Sequence, residues 1–186
     1  MNDIQISRLL KPIKTFIGIF SANTIPKDLF NNKNKCFIFN TDPSNLPGRH
    51  WIAVYVQNKN KIEYFDSYGK IPKLPIFSKR IQHIHWNKKR LQSPYSTICG
   101  EYCIYYLLKR HNISSMKKVF NTFIDKKYYD NDSKIITYIT KYFGKRYKRE
   151  DDCYSIFTQI CSPHCKHLCK KDLGWLNYEK KNHIRR

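Results

Sequence analysis

The first feature of the sequence with the potential for chemistry is Cys99, which follows a short loop and precedes an apolar run, Ile104–Leu108. The run predicts a helix that begins at or near Cys99, where unpaired N–H groups and the helix dipole favour a thiolate. A thiolate is the nucleophile that acyl transfer requires. Gln92, in the preceding loop, could direct its amide N–H at an oxyanion beside the Cys99 backbone N–H, and Gly100 would leave room for a substrate backbone. The alternative is that Cys99 is an inert packing residue, as most such cysteines are.

A base and a carboxylate for this cysteine lie at the two ends of a predicted hairpin. His50 opens a β-rich apolar run that extends to Val56, and Asp66 ends a second run that starts at Ile62, with a polar turn between them. Antiparallel pairing brings the start of one strand beside the end of the next. We therefore expect His50 and Asp66 to be neighbours, although each could instead be an ordinary polar residue at a strand end. Together with Cys99 they would form the cysteine version of the hydrolase triad.

The elements that must position these residues follow from periodicity and capping signals. We predict helices at the N-terminus, over Ile76–Ile84, over Cys99–Arg110, from Met116 and over Ser133–Phe143, and strands at 16–20, 36–40, 50–56, 62–66 and 84–86. This order predicts an α+β domain with a mainly antiparallel central sheet packed against the nucleophile-bearing helix. The charged stretch after Phe143 places the boundary between a catalytic domain, 1–145, and a basic Cys/His-rich tail, 146–186.

Charge and composition limit the kinds of partner that the protein can have. A net charge of +21 suggests a polyanion such as DNA, although a coding sequence rich in A and T gives the same excess of Lys and Asn without selection. A hydrophobic fraction of 41% supports a folded core. We find neither a secretory signal nor an apolar run that could cross a bilayer, so we expect an intracellular protein without membrane contact.

The tail carries a dense group of soft ligands. An intracellular location predicts reduced thiols, so the seven cysteines suit a nucleophile or metal ligands better than a disulfide framework. Cys161, His164, Cys165 and Cys169 are candidate zinc ligands, although their spacing fits no common zinc finger. A loosely packed thiol-rich tail and a disulfide formed in an oxidising virion are the alternatives.

The residues together resemble a known family. His50-Trp51 opening an apolar strand, Phe65–Gly69 one hairpin later, and Gln92 ahead of Cys99-Gly100 are similar to the adenovirus endopeptidase (adenain) and to proteases of related viruses and virus-like DNA transposons. The resemblance implies a papain-like active site with Cys99 as nucleophile, His50 as base, Asp66 as third member and Gln92 as oxyanion donor. The adenovirus enzyme has Glu in place of Asp66, whereas the more distant SUMO and ubiquitin-like proteases have Asp.

The resemblance also implies a function. We expect a monomeric cysteine endopeptidase that cleaves viral capsid or core precursor proteins beside small residues, often glycine, in the host nucleus or the virion. Its chemistry would need no cofactor, but DNA and a small viral peptide would act as activators. Trp51 would form a wall of the substrate cleft, unless it packs in the core. The alternatives are a SUMO- or ubiquitin-like deconjugating protease, and a non-enzymatic nucleic-acid-binding module with a zinc-binding tail.

Overall fold

A mixed β-sheet with its strands in chain order is the centre of the structure, a computed structural model that describes residues 1–80, 83–112 and 115–147. The strands of this sheet are β1 (Phe16–Ser21), β2 (Lys35–Asn40), β3 (Trp51–Asn58), β4 (Lys61–Phe65) and β5 (His83–Trp86). The helices of the described residues are α1 (Asp3–Leu10), α2 (Pro75–Arg80), α3 (Cys99–Asn112), α4 (Met116–Phe120) and α5 (Tyr128–Phe143). None of these helices is long and apolar enough to span a membrane.

Strand direction differs between the middle and the edges of the sheet. β3 pairs antiparallel with both β2 and β4, whereas β1 pairs with β2, and β4 with β5, in parallel. The α+β prediction is confirmed, and the antiparallel arrangement applies to the three central strands. Parallel neighbours need a crossover connection. The segment with a 3-10 turn at Lys27–Asn31 supplies it on one side, and the segment that contains α2 supplies it on the other.

The two faces of the sheet carry separate cores, because successive side chains of a strand point to opposite faces. One face joins side chains from β2, β3 and β4 to the 3-10 turn and α2, and its buried members include Phe30, Phe37, Phe39, Ile52, Val54, Tyr64 and Phe77. On the other face, the rings of Phe65 in β4 and Tyr106 in α3 are stacked at 4.5 Å. The helix that begins at Cys99 therefore lies directly on the predicted hairpin.

A buried ion pair fixes α3 on that face. Glu63 of β4 is 1% exposed and accepts hydrogen bonds from Arg110 Nε at 2.7 Å and from the Tyr106 hydroxyl at 2.6 Å. The Arg110 guanidinium also lies 4.1 Å from the ring centre of Tyr55 in β3. Because both strands of the hairpin hold the C-terminal half of α3, the position of Cys99 relative to the hairpin is set from the far end of the helix.

Several helix ends match the capping signals. Asn2 and Gln5 form a reciprocal capping box before α1, Ser115 caps α4, and Gly144 follows α5. Two predicted bounds were wrong. The helix predicted within 76–84 ends at Arg80, and α5 begins at Tyr128 rather than at Ser133. The first turn of α5 was missed because its buried residues, Asn131 and Asp132, are polar and leave no apolar periodicity.

Candidate active site

The hairpin brings His50 and Asp66 into contact. His50 is the residue before β3 and Asp66 the residue after β4, and His50 Nε2 lies 2.8 Å from Asp66 Oδ1. The Asp66 side chain is 2% exposed and the His50 side chain 12%. The pair is thus largely removed from water, which strengthens the electrostatic interaction between the two groups.

Asp66 is itself held by its surroundings. Its backbone N–H donates to Asn87 Oδ1 at 2.9 Å, and Asn87 Nδ2 donates back to the Asp66 carbonyl oxygen. Asn87 directly follows β5, the strand beside β4. The Tyr68 backbone N–H donates to Asp66 Oδ1 at 2.7 Å, so one carboxylate oxygen receives both this bond and the imidazole. The carboxylate can therefore orient the His50 ring.

Burial and the neighbours Asp66 and Cys99 act in opposite directions on the pKa of His50. Burial alone would lower the pKa of His50, but the hydrogen bond to Asp66 and the interactions with Asp66 and Cys99 outweigh it and raise the pKa to about 9. Nδ1, the second ring nitrogen, is buried and has no hydrogen-bond partner among the described residues. Because Nε2 is engaged by Asp66, Nδ1 is the nitrogen that remains to take a proton from Cys99.

Cys99 is the first residue of α3 and is 9% exposed. Its position at the start of the helix agrees with the prediction, and unpaired N–H groups of the first turn are available there to an anion. Two further cysteines, Cys36 and Cys103, lie among the described residues. Burial raises the pKa of the Cys36 thiol to about 11 and that of Cys103, one turn after Cys99, well above its usual range. Cys103 is fully buried.

Gln92 is fully buried, and its side chain links two loops. Gln92 Oε1 accepts a hydrogen bond from the Ser67 hydroxyl at 2.6 Å, and Nε2 donates to the Ser96 carbonyl oxygen at 2.7 Å. The Gln92 backbone N–H also donates to the Ser67 carbonyl oxygen at 3.1 Å. The amide is therefore tied both to the residue after Asp66 and to the loop before Cys99. Its role as oxyanion donor stays a prediction.

The loop that carries Gln92 is supported from α3 and α5. The Tyr102 hydroxyl donates its single hydrogen toward Asp132 Oδ1 at 2.7 Å, and the Leu91 carbonyl oxygen lies 3.1 Å from the same hydroxyl oxygen. Asn131 Nδ2 donates to the same Leu91 carbonyl oxygen at 3.3 Å. The Ser93 backbone N–H points to Asp132 Oδ1 at 3.4 Å. The buried polar start of α5 thus holds the backbone on both sides of Gln92.

Tyr68 connects the base to this loop. Its ring stacks on the His50 ring with the centres 4.9 Å apart and an interplanar angle of 30°. Its hydroxyl donates to the Ser96 carbonyl oxygen at 3.3 Å, the same oxygen that receives the Gln92 amide. Tyr68 therefore packs against the base and shares a hydrogen-bond acceptor with the predicted oxyanion donor.

Trp51 and Gly100 lie together, against the start of the chain. Trp51 Nε1 donates to the Met1 carbonyl oxygen at 3.1 Å. A Cβ on Gly100 would lie 3.3 Å from Trp51 Cδ1 and 3.3 Å from Ile6 Cδ1. The missing side chain of Gly100 thus allows close packing of these residues beside Cys99. The roles of Trp51 and Gly100 in substrate binding stay predictions.

Some residues of the site were not identified from the sequence. Ser67 and Tyr68 lie within the recognised Phe65–Gly69 motif but received no role. Asn87 and Asp132 reach the site through hydrogen bonds across 21 and 39 positions, which no local pattern encodes. The zinc candidates of the tail, Cys161, His164, Cys165 and Cys169, lie outside the described residues.

The comparisons with known proteins point to viral cysteine proteases. No protein-family model matches the chain. A cysteine protease of African swine fever virus is 32% identical over 88 residues, which are 39% of this chain and 32% of that protein. A protein named SUMO-1 cysteine protease, from another isolate of the virus, is 29% identical over 108 residues, 50% of this chain and 40% of the relative. The chain thus spans roughly a third of the length of the first of these relatives and two fifths of the second.

Solved structures give a weaker likeness. A crystal structure of an African swine fever virus protease superposes with a TM-score of 0.42 at 19% identity, over 68% of this chain and 64% of that one. The central domain of a Legionella pneumophila protein superposes with a TM-score of 0.43 at 16% identity, over 79% and 98%. The fold assignment therefore rests on the strands and helices described above. The specific relation to adenovirus endopeptidase stays a prediction.

Proposed function

We propose that this chain is a cysteine-type endopeptidase with Cys99 as nucleophile, His50 as base and Asp66 as the carboxylate that orients the base. The observation that carries the proposal is the buried contact between His50 Nε2 and Asp66 Oδ1, with Nδ1 left unpartnered among the described residues and Cys99 within electrostatic reach. A purely structural histidine in this position would be expected to use both ring nitrogens in hydrogen bonds.

The chemistry follows from these positions. His50 Nδ1 takes the Cys99 proton, and the sulfur attacks the carbonyl carbon of the scissile peptide bond. The oxyanion that forms is held by Gln92 and by backbone N–H groups at the start of α3. The imidazolium then gives its proton to the leaving amine as the C–N bond breaks. Water, deprotonated by the same imidazole, hydrolyses the thioester and releases the carboxylic acid and the thiol.

The substrates and activators are part of the proposal. The relatives named above are viral, which supports viral proteins as substrates; capsid or core precursors, cut beside small residues or glycine, follow from the resemblance to the adenovirus enzyme. The net charge of +21 supports DNA as an activator. A viral activating peptide, a monomeric enzyme and a location in the host nucleus or the virion follow from the resemblance to the adenovirus enzyme.

The test is cleavage of a peptide panel with small residues and glycine around the scissile bond, with DNA present throughout. We expect the native protein to cut and Cys99→Ala to be inactive. Cys103→Ala is the matched control, because it removes a thiol from the same helix one turn later and should leave activity in place. Equal cleavage by native protein and Cys99→Ala would refute the assignment of the nucleophile.

A second candidate is removal of SUMO- or ubiquitin-like modifiers, favoured by the name SUMO-1 cysteine protease of one relative. An electrophilic probe built on a ubiquitin-like C-terminus would separate the two activities. Labelling of Cys99 by the probe, without cleavage of the peptides, would favour the deconjugase. Salt-sensitive DNA binding with stoichiometric zinc and no reaction at Cys99 would instead favour a non-enzymatic binding module.

A further inference from the structure

Two cations lie over the ring that packs against the predicted catalytic base. The Arg90 guanidinium carbon is 4.9 Å from the centre of the Tyr68 ring, and Lys70 Nζ is 5.6 Å from it. The Tyr68 ring is in turn stacked at 4.9 Å on His50. The Arg90 guanidinium carbon is therefore at most twice that distance from the centre of the imidazole. We call Lys70 and Arg90 the cationic rim.

The backbone places these two cations together. The loop 66–70 and the loop 87–92 are in direct contact, because the Leu91 backbone N–H donates to the Ser67 carbonyl oxygen at 2.8 Å. Gly69 has a φ of +69°, and a Cβ there would lie 2.6 Å from the Lys89 carbonyl carbon. A glycine is thus required both by the turn and by the close approach of the second loop. The rim is built into the same two loops that hold Asp66 and Gln92.

The charges of the rim are open to a ligand. Both side chains are exposed, and neither forms an ion pair with a carboxylate among the described residues. Lys89 provides a contrast, since its Nζ lies 2.9 Å from Asp125 Oδ2. The contact with the Tyr68 ring holds the two rim cations near the predicted base. Both cations keep their full charge, since an aromatic ring attracts a cation but does not neutralise it.

We propose that the cationic rim selects peptide substrates with an acidic side chain close to the scissile bond. The inference rests on the proposed protease function and names a specificity for it. His50 protonates the leaving amine, so groups packed around His50 face the part of the substrate that follows the scissile bond. We accordingly expect the strongest preference for Asp or Glu on that side.

The experiment compares matched peptides that carry Gln or Glu at each of three positions on either side of a cleaved bond. For the native protein we expect Glu to raise kcat/KM by roughly two- to five-fold at one or more positions, the range for an exposed charge pair. Arg90→Gln with Lys70→Gln should abolish that gain. About 1 M salt, where the Debye length is about 3 Å, should also abolish it. The proposal is overturned if Glu gives no gain at any position or if the gain survives in the double variant.

Two controls separate local charge from packing and from net charge. Arg90→Lys keeps the charge and should keep the preference for Glu. Lys88→Gln removes an equivalent cation, 5.2 Å from the ring of Trp86, which lines a separate groove with Ile84 and Met116. This control should leave the ratio of Glu to Gln peptides unchanged. A loss of preference in Lys88→Gln equal to that in Arg90→Gln would mean that total charge, not the rim, sets the preference.

A second measurement does not depend on peptide cleavage. The rates at which anionic iodoacetate and neutral iodoacetamide modify Cys99 are followed by mass spectrometry in the full chain. The double variant should lower the ratio of the two rates by roughly two-fold or more, whereas Lys88→Gln should not. If the double variant leaves the ratio of the two rates unchanged, the proposal that the rim attracts anions is overturned. A lowered ratio in a protein that cuts no peptide would uphold an anion-attracting rim and refute the proposed protease function instead.

Discussion

Two buried ion pairs stand on the same β-hairpin and differ in how completely their polar atoms are used. In the pair beneath α3, Glu63 accepts hydrogen bonds on both carboxylate oxygens, from Arg110, Tyr106 and Gln57. In the pair at the hairpin end, Asp66 engages one nitrogen of His50 and the other has no hydrogen-bond partner among the described residues. The first pair is saturated, whereas the second keeps one buried nitrogen available.

On the proposed mechanism, the difference separates a structural pair from a catalytic one. A buried polar atom without a partner costs about 1–3 kcal/mol, and this cost is justified where the atom must exchange a proton during a reaction. The Glu63–Arg110 pair has no atom free for such an exchange. We therefore expect changes at Asp66 to affect the chemistry, and changes at Glu63 to affect the stability of the fold.

The largest effect on activity is expected for Asp66→Asn, which removes the charge that orients and stabilises the imidazolium. We expect kcat/KM to fall by about 100-fold or more. In the native protein the raised pKa of His50 lets the ring hold the proton that it takes from Cys99 up to about pH 9, so activity, which needs that proton for the leaving amine, should be lost as the pH rises through about 9. The contribution of this charge to stability should likewise be complete below the ordinary pKa of His and lost through about pH 9.

In Asp66→Asn the loss of activity at high pH should occur at a lower pH than in the native protein. The reason is that burial lowers the pKa of His50 and the opposing carboxylate is gone. The measurement is a pH profile of kcat/KM for both proteins. If the variant still loses its activity near pH 9, Asp66 does not act through His50.

The next effect is on stability, and it concerns the saturated pair. Glu63→Ala leaves the Arg110 charge buried without its carboxylate, so we expect a loss of about 3–5 kcal/mol in the free energy of unfolding. Replacement of both residues by leucine should recover most of that loss, because no unpaired charge remains. Denaturant titration measures both values. A double variant as unstable as Glu63→Ala would mean that packing, not the unpaired charge, is responsible.

The smallest effect is expected for Ser67→Ala, which removes the hydroxyl that donates to Gln92 Oε1. The buried amide oxygen then lacks this donor, and we expect a loss of about 1 kcal/mol in stability with a roughly five-fold lower kcat. Ser93→Ala is the matched control, since Ser93 is also fully buried and follows Gln92, but its hydroxyl accepts a hydrogen bond from the Tyr95 backbone N–H instead. Equal effects of the two substitutions on kcat would contradict a specific role for the Ser67 bond.

The sequence was most informative where the structure depends on neighbouring residues. The helix at the N-terminus, the helix from Met116 and the hairpin that joins His50 to Asp66 all rest on short-range patterns, and the structure contains each of them. Strand direction at the sheet edges was not predictable, because an apolar run has the same pattern in a parallel and an antiparallel pair. The supports of the Gln92 loop were missed because they come from Asn131 and Asp132, polar residues whose burial depends on the completed fold.

The hairpin also has a consequence for the order in which the site can assemble. His50 and Asp66 are 16 positions apart, whereas the bonds that hold α3 on β4 span 43 and 47 positions. Because the entropy lost on closing a loop grows with its length, the predicted base and its carboxylate meet at a lower cost in chain entropy than α3 pays on docking. The pair is thus encoded in one local segment, and the predicted nucleophile joins it from a distant part of the chain.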